Sequence, residues 1–111
     1  MSDHETLESS PYSGLNRLEL HAILTGKKTM RYTPAGVPVQ EVVLLHRSEQ
    51  GSESVRRKIA FECPAVAFGS MALLLENMSE QAVAVFEGYL APQYSTHSRW
   101  VLHIHRFNLE S

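Results

Sequence analysis

The chain has 111 residues, 43% of them hydrophobic and 20% charged, with one cysteine and a formal net charge of −2. That length gives room for one domain with a modest core, and the lone Cys63 excludes an internal disulfide framework and fits a reducing cytoplasm. No apolar run approaches the ~18 residues of a membrane span, and the acidic start Met1-Ser2-Asp3-His4-Glu5 lacks the basic and apolar regions of a secretory signal.

Charge is unevenly placed. Residues 1–14 carry Asp3, Glu5 and Glu8 and no Lys or Arg, whereas residues 27–58 hold seven Lys and Arg against three Glu, a net +4. Positive charge concentrated on one third of a chain points either to a phosphate-bearing partner or to an ordinary solvated face.

Residues 1–14 lack apolar periodicity and read as a flexible tail, leaving 15–111 as the folded domain. In 16–25, Leu18, Leu20, Ala22 and Leu24 alternate with Glu19, His21 and Ile23, the period of a half-buried first strand. Gly26 breaks it. Thr33-Pro34-Ala35-Gly36 is a turn sequence, with proline at its second position and glycine at its fourth. Pro38 opens a second strand whose 39–45 stretch is apolar on both faces, as a covered barrel or a second buried surface such as a dimer contact requires.

Residues 49–54 are a polar, glycine-containing hairpin connection. A third strand spans 55–63, with Val55, Arg57, Ile59, Phe61 and Cys63 on one parity, and Pro64 ends it. Phe68, Met71, Ala72 and Leu75 then follow helical spacing, with Ser70 as a candidate cap. A fourth strand spans 81–91, where the internal Gly88 signals a bulge, a tight bend or a close backbone approach. Tyr89 beside it is expected in the core. A polar loop at 92–98 contains Tyr94 and His97, and 99–109 form a fifth strand.

This order predicts an all-β fold: a five-stranded antiparallel OB-fold barrel with one short helix between strands three and four. In that fold the face of strands two and three, with the loops joining strands one–two and four–five, commonly binds single-stranded nucleic acid or oligosaccharide. The basic cluster falls on that face, which favours nucleic acid.

Four blocks carry a family resemblance: Asn16-Arg17-Leu18-Glu19-Leu20, Pro34-Ala35-Gly36-Val37-Pro38-Val39, Leu44-Leu45-His46-Arg47-Ser48 and Val85-Phe86-Glu87-Gly88-Tyr89-Leu90. They resemble the bacterial primosomal replication protein N (PriB) family, related to bacterial single-stranded DNA-binding proteins. The most specific part is Pro-Ala-Gly-Val-Pro-Val with the following His-Arg-Ser. The resemblance implies a cytoplasmic homodimer of OB-folds that acts in replication restart. It implies binding to single-stranded DNA, to the primosomal helicase and to a helicase-loading factor, without catalysis. A protein-interaction adaptor with incidental DNA binding is the alternative. The chain departs from the family pattern twice. Ala60 stands where relatives carry a stacking tryptophan on strand three, and the loop between strands four and five lacks their lysines, with Arg99 and Trp100 at its exit.

The candidate DNA contacts are Lys27, Lys28, Arg31 and Tyr32 in the first loop, Arg47 at the end of strand two, Arg56, Arg57, Lys58 and Phe61 on strand three, and Tyr94, Arg99 and Trp100 around the last loop. Cations neutralise phosphates and aromatic rings stack on bases. Each also has a structural reading: Arg56-Arg57-Lys58 as a guard against edge pairing, Trp100 as a packed core or dimer residue. His103 and His105 lie two apart on a strand, hence on one side, but no third ligand pattern accompanies them. No metal or other cofactor is expected. With no nucleophile elbow, phosphate-cradling loop or metalloprotease motif, neither is an enzyme.

Overall fold

A computed structural model describes residues 11–93 and 99–110. Its elements run β1 (Leu18–Lys27), β2 (Arg31–Tyr32), β3 (Pro38–Ser52), β4 (Val55–Phe68), α1 (Ser70–Glu76), β5 (Val83–Pro92) and β6 (Trp100–Leu109). The alternation in β1 holds: Leu20, Ala22 and Leu24 are buried, while Glu19 and His21 are exposed.

One strand closes the barrel. β1 pairs with β5 through 18–23 and with β3 through 23–27, with a register shift between Leu24 and Gly26. A bulge bends a strand, and here the bend lets β1 serve two neighbours. The ring runs β1-β5-β6-β4-β3 and back to β1, and the two-residue β2 adds to the free edge of β3. The sheet is mixed rather than wholly antiparallel, because β4 and β6 run parallel through Ala65↔Leu102 and Val66↔His103. The reason is arithmetic: an odd number of strands closed into a ring cannot alternate direction throughout.

The interior is filled by Phe86, Leu24, Leu44, Leu75 and Leu102, all essentially inaccessible. Each such side chain contributes about 1.5–3 kcal/mol on burial. α1, only seven residues long, is too short to persist alone. It is held because Ala72 and Leu75 enter this core, joined by Met78 just beyond its end.

Local expectations shift in four places. Pro64 does not end its strand: β4 continues to Phe68. At Pro64 the β6 side of β4 is still an edge, the setting that tolerates proline. Phe68 is consequently a strand residue and not part of the helical stripe. Ser70 is the first helical residue, and Gly69 takes the cap position without a side-chain bond. Tyr89 is exposed rather than core, because the buried neighbour Gly88 takes the inward place.

Gly88 shows both the bulge and the close approach. The β5–β6 register shifts between Glu87 and Gly88, and a Cβ there would overlap the His103 carbonyl. Gly26 has open space around it and an ordinary backbone. Gly88→Ala should therefore cost about 2 kcal/mol or more, and Gly26→Ala about 0.5 kcal/mol or less. Urea denaturation of both variants measures the difference; equal midpoints would refute the close-approach account.

Candidate nucleic-acid interface

Beyond the barrel, β3 and β4 pair only with each other, from His46↔Phe61 to Ser52↔Val55. The expected 49–54 connection is thus mostly strand, and the turn itself is Glu53-Ser54. Gly51 precedes it at φ 121°, where a Cβ would overlap the Val55 carbonyl. At ~3.4 Å per residue, this two-stranded ribbon projects roughly 20 Å.

Residues directly opposite in a sheet share a face. On the ribbon's outer face, Arg47 stands opposite Ala60, Glu49 opposite Lys58, and Gly51 opposite Arg56. The other face continues the barrel interior and pairs His46 with Phe61, Ser48 with Ile59, and Gln50 with Arg57. Side-chain alternation thus divides Arg56-Arg57-Lys58 two to one. Phe61 lies on the face opposite to Ala60.

Carboxylates already hold several of these cations. The Arg56 guanidinium donates to Glu49 Oε1 at 3.0 Å. Glu41, its side chain only 28% exposed, accepts from Arg31 Nε and Nη2, both at 3.1 Å, and lies 3.7 Å from Lys28 Nζ. The Lys28 N–H donates to the Glu41 carbonyl at 2.9 Å, which fixes the loop against β3. Arg99 lines the same depression as Lys28 and Glu41. Arg47 is exposed and has no ion-pair partner among the described residues. Tyr32, on the other parity of β2 from Arg31, is 62% exposed.

Besides Arg57, three expected contacts stand apart from this face. Lys27 donates through Nζ to the carbonyls of Glu76 at 2.7 Å and Met78 at 2.8 Å, capping the end of α1. Phe61 and Trp100 come together with Leu18, Leu20, Cys63 and Leu90 around an apolar depression of about 300 Å³ at the barrel mouth. The expected contact Tyr94 lies outside the described residues. Among the described residues, no His, Cys, Asp and Glu group of three could hold a metal ion, and no helix is long and apolar enough to cross a membrane.

Residues 16–106 match a family model described as another single-strand binding protein family. A replication restart protein PriB of Bordetella pertussis is 36% identical over 90 residues, covering 81% of this chain and 84% of that one. The solved PriB of Ralstonia solanacearum superposes with a TM-score of 0.80 at 32% identity, over 88% of this chain and all of that one. This chain belongs to the PriB family. A single-stranded DNA-binding protein from Thermus aquaticus shares the fold at TM-score 0.72 and 21% identity, over 88% of this chain and 51% of that one.

The first departure, Ala60, has a defined position, whereas residues 94–98 of the last loop lie outside the described residues. Ala60 is exposed on the outer face directly across from Arg47, so the small side chain leaves a gap between cations. A different aromatic group occupies the same outer surface farther along. Phe68, His103 and Tyr89 form a ladder across β4, β6 and β5, with Phe68–His103 centroids 5.9 Å apart at 18° and His103–Tyr89 centroids 4.9 Å apart at 12°. Both spacings lie in the offset-stacking range. Sequence reasoning missed this group because it placed Phe68 on a helix, Tyr89 in the core and His103 in a histidine pair. The register shift at Glu87 and Gly88 leaves His105 without a register partner, yet both histidines line one outer depression, on the side opposite buried Ile104. The available signal was parity: Tyr89 follows an inward glycine, and His103 alternates with Leu102 and Ile104.

Burial in the ladder holds the His103 imidazole below its ordinary pKa. A base whose folded pKa is depressed contributes stability that is complete above the unfolded pKa and is lost as pH falls through the folded one. Stability should therefore decline from pH 7.5 to pH 5, and part of the decline should vanish in His103→Phe. Urea midpoints across that range test it; an unchanged pH profile in the variant would contradict the assignment.

Proposed function

We propose that this chain is a single-stranded DNA-binding accessory protein of the replication-restart primosome. It would bind DNA and the primosomal helicase, together with a helicase-loading factor, without catalysis. The observation that carries the reading is the placement of Lys28, Arg31, Arg47, Arg56, Lys58 and Arg99 along one outer surface of the barrel and its ribbon. Its PriB and single-strand-binding relatives supply the biological setting. Recognition is electrostatic, by phosphate neutralisation, with little base preference. Residues 15–111 act as the binding domain in the cytoplasm.

A homodimer accompanies this reading. β1 residues 18–22 pair with β5 on one edge, while β3 reaches the other edge only from Ile23 onward. That free edge can accept a second copy. Sedimentation across micromolar concentrations should give the dimer mass; a monomer throughout would count against it.

The main test is fluorescence anisotropy of labelled oligo-dT over a salt series. Wild type should bind with a salt slope that falls by about two in Arg56→Ala/Lys58→Ala, about one per lost phosphate contact. Absence of salt-sensitive binding by the wild type at low salt would remove DNA from the reading. Glu49→Gln frees Arg56 without adding a cation, so it should tighten binding and steepen the slope, while the exposed pair's loss costs at most about 1 kcal/mol of stability. Weaker binding by Glu49→Gln would show that the carboxylate positions Arg56 rather than competing for it.

A second reading, a primosomal adaptor with incidental DNA binding, draws on Leu73 and Leu74. They are 45% and 53% exposed on α1, an apolar pair suited to a protein partner. The wild-type salt series separates the two readings.

A further inference from the structure

The Phe68–His103–Tyr89 ladder is costly to leave in water: Phe68 is 46% and Tyr89 44% exposed, and both rings sit on the outer sheet surface rather than over the core. The rings brace one another in near-parallel planes, so they are held in place before any ligand arrives. Two depressions flank Phe68 and His103. One, about 230 Å³, lies toward Arg31 and Glu41; the other, about 320 Å³, lies toward Tyr89 and Met71. One falls below and the other at the lower end of the ~300–1,000 Å³ typical of drug-sized ligand sites, which suits single flat rings. The first joins the ladder to the loop cations: Arg31 pairs in register with Val39, and Val39 with Phe68.

We propose that this ladder is a nucleobase-stacking platform, and that single-stranded DNA crosses from the β3–β4 ribbon over Arg31 onto β6 and β5. The proposal rests on the DNA-binding reading above and extends it along the same outer surface, from the β3–β4 ribbon to β6 and β5. Three features select DNA as the occupant. The cationic edge at Arg31 and Lys28 leads directly into the platform. Flat exposed rings take bases of any sequence. And Arg47 and Lys58 on the ribbon's outer face continue the cationic path along the same side of β3 and β4 as Phe68. Phe68 and Tyr89 offer ring faces, and Arg31 holds the phosphate between them and the ribbon.

The platform predicts a dependence on strand length. Oligo-dT of about 6 nucleotides lies in the lower part of the ~4–16 nucleotides that one OB fold covers, too few to span both ribbon and platform, whereas about 20 exceeds that range. Phe68→Leu/Tyr89→Leu should bind the long strand about tenfold more weakly, the loss of roughly one stacked base. Its salt slope should stay at the wild-type value, because stacking releases no counterions. Tyr89→Phe keeps the ring and should bind as wild type does, which guards against a folding artefact. Failure of the wild type to bind any strand overturns both the platform and the DNA-binding reading. Wild-type binding together with full affinity of the double leucine variant for the long strand overturns the platform alone. So does a variant that binds less tightly only because its sedimentation mass has changed, since the rings would then belong to a contact between two copies.

Discussion

Everything on the candidate surface depends on how β1 closes the barrel. A strand that paired with one neighbour only would leave an open, twisted sheet with two long edges. The shift between Leu24 and Gly26 divides β1 between β5 and β3, and closure follows. Closure in turn sets where β1 releases β3. Past Leu45, β3 has only β4 as a partner, so the ribbon is a direct result of the short reach of β1. The loop cations are anchored by the same arrangement, because Lys28 follows β1 immediately and bonds back to Glu41 on β3.

The core and the outer surface use the same strands with opposite parities. Val42 and Leu44 fill the interior, while Val39 joins Val66 and Val101 in a smaller outer cluster. This explains why β3 is apolar on both faces within the barrel and turns polar only along the ribbon. α1 is part of the same economy of elements: it covers the core with Ala72 and Leu75, and Lys27 at the end of β1 satisfies the carbonyls it leaves behind. Lys27, grouped by sequence with the loop cations, serves as a structural tie.

Much of the barrel was legible because its strands alternate cleanly. Leu20, Ala22 and Leu24 announced their face, and Gly88 announced a bulge. What escaped was what depends on partners distant in sequence. Pro64 reads locally as a stop, yet it is tolerated because β6 arrives only at the next residue. Tyr89 reads as apolar core, yet Gly88 takes the inward place and Tyr89 packs outside against the distant His103. The ion pairs were equally hidden: Arg31 and Glu41 are ten residues apart, and Arg56 and Glu49 meet only because a hairpin folds them together. Net charge counted these groups as independent, whereas the fold brings them into contact.

Those pairs carry a kinetic consequence. Any anion that reaches Arg31 or Arg56 meets a carboxylate that never diffuses away, because the backbone tethers it a few ångströms off. A tethered competitor acts at an effective concentration set by its leash, commonly millimolar or higher. Phosphate association at such sites is an exchange, and the displaced glutamate stands ready to reclaim its arginine whenever the ligand loosens. A surface built this way favours rapid release and segment-by-segment transfer of a charged polymer over prolonged retention.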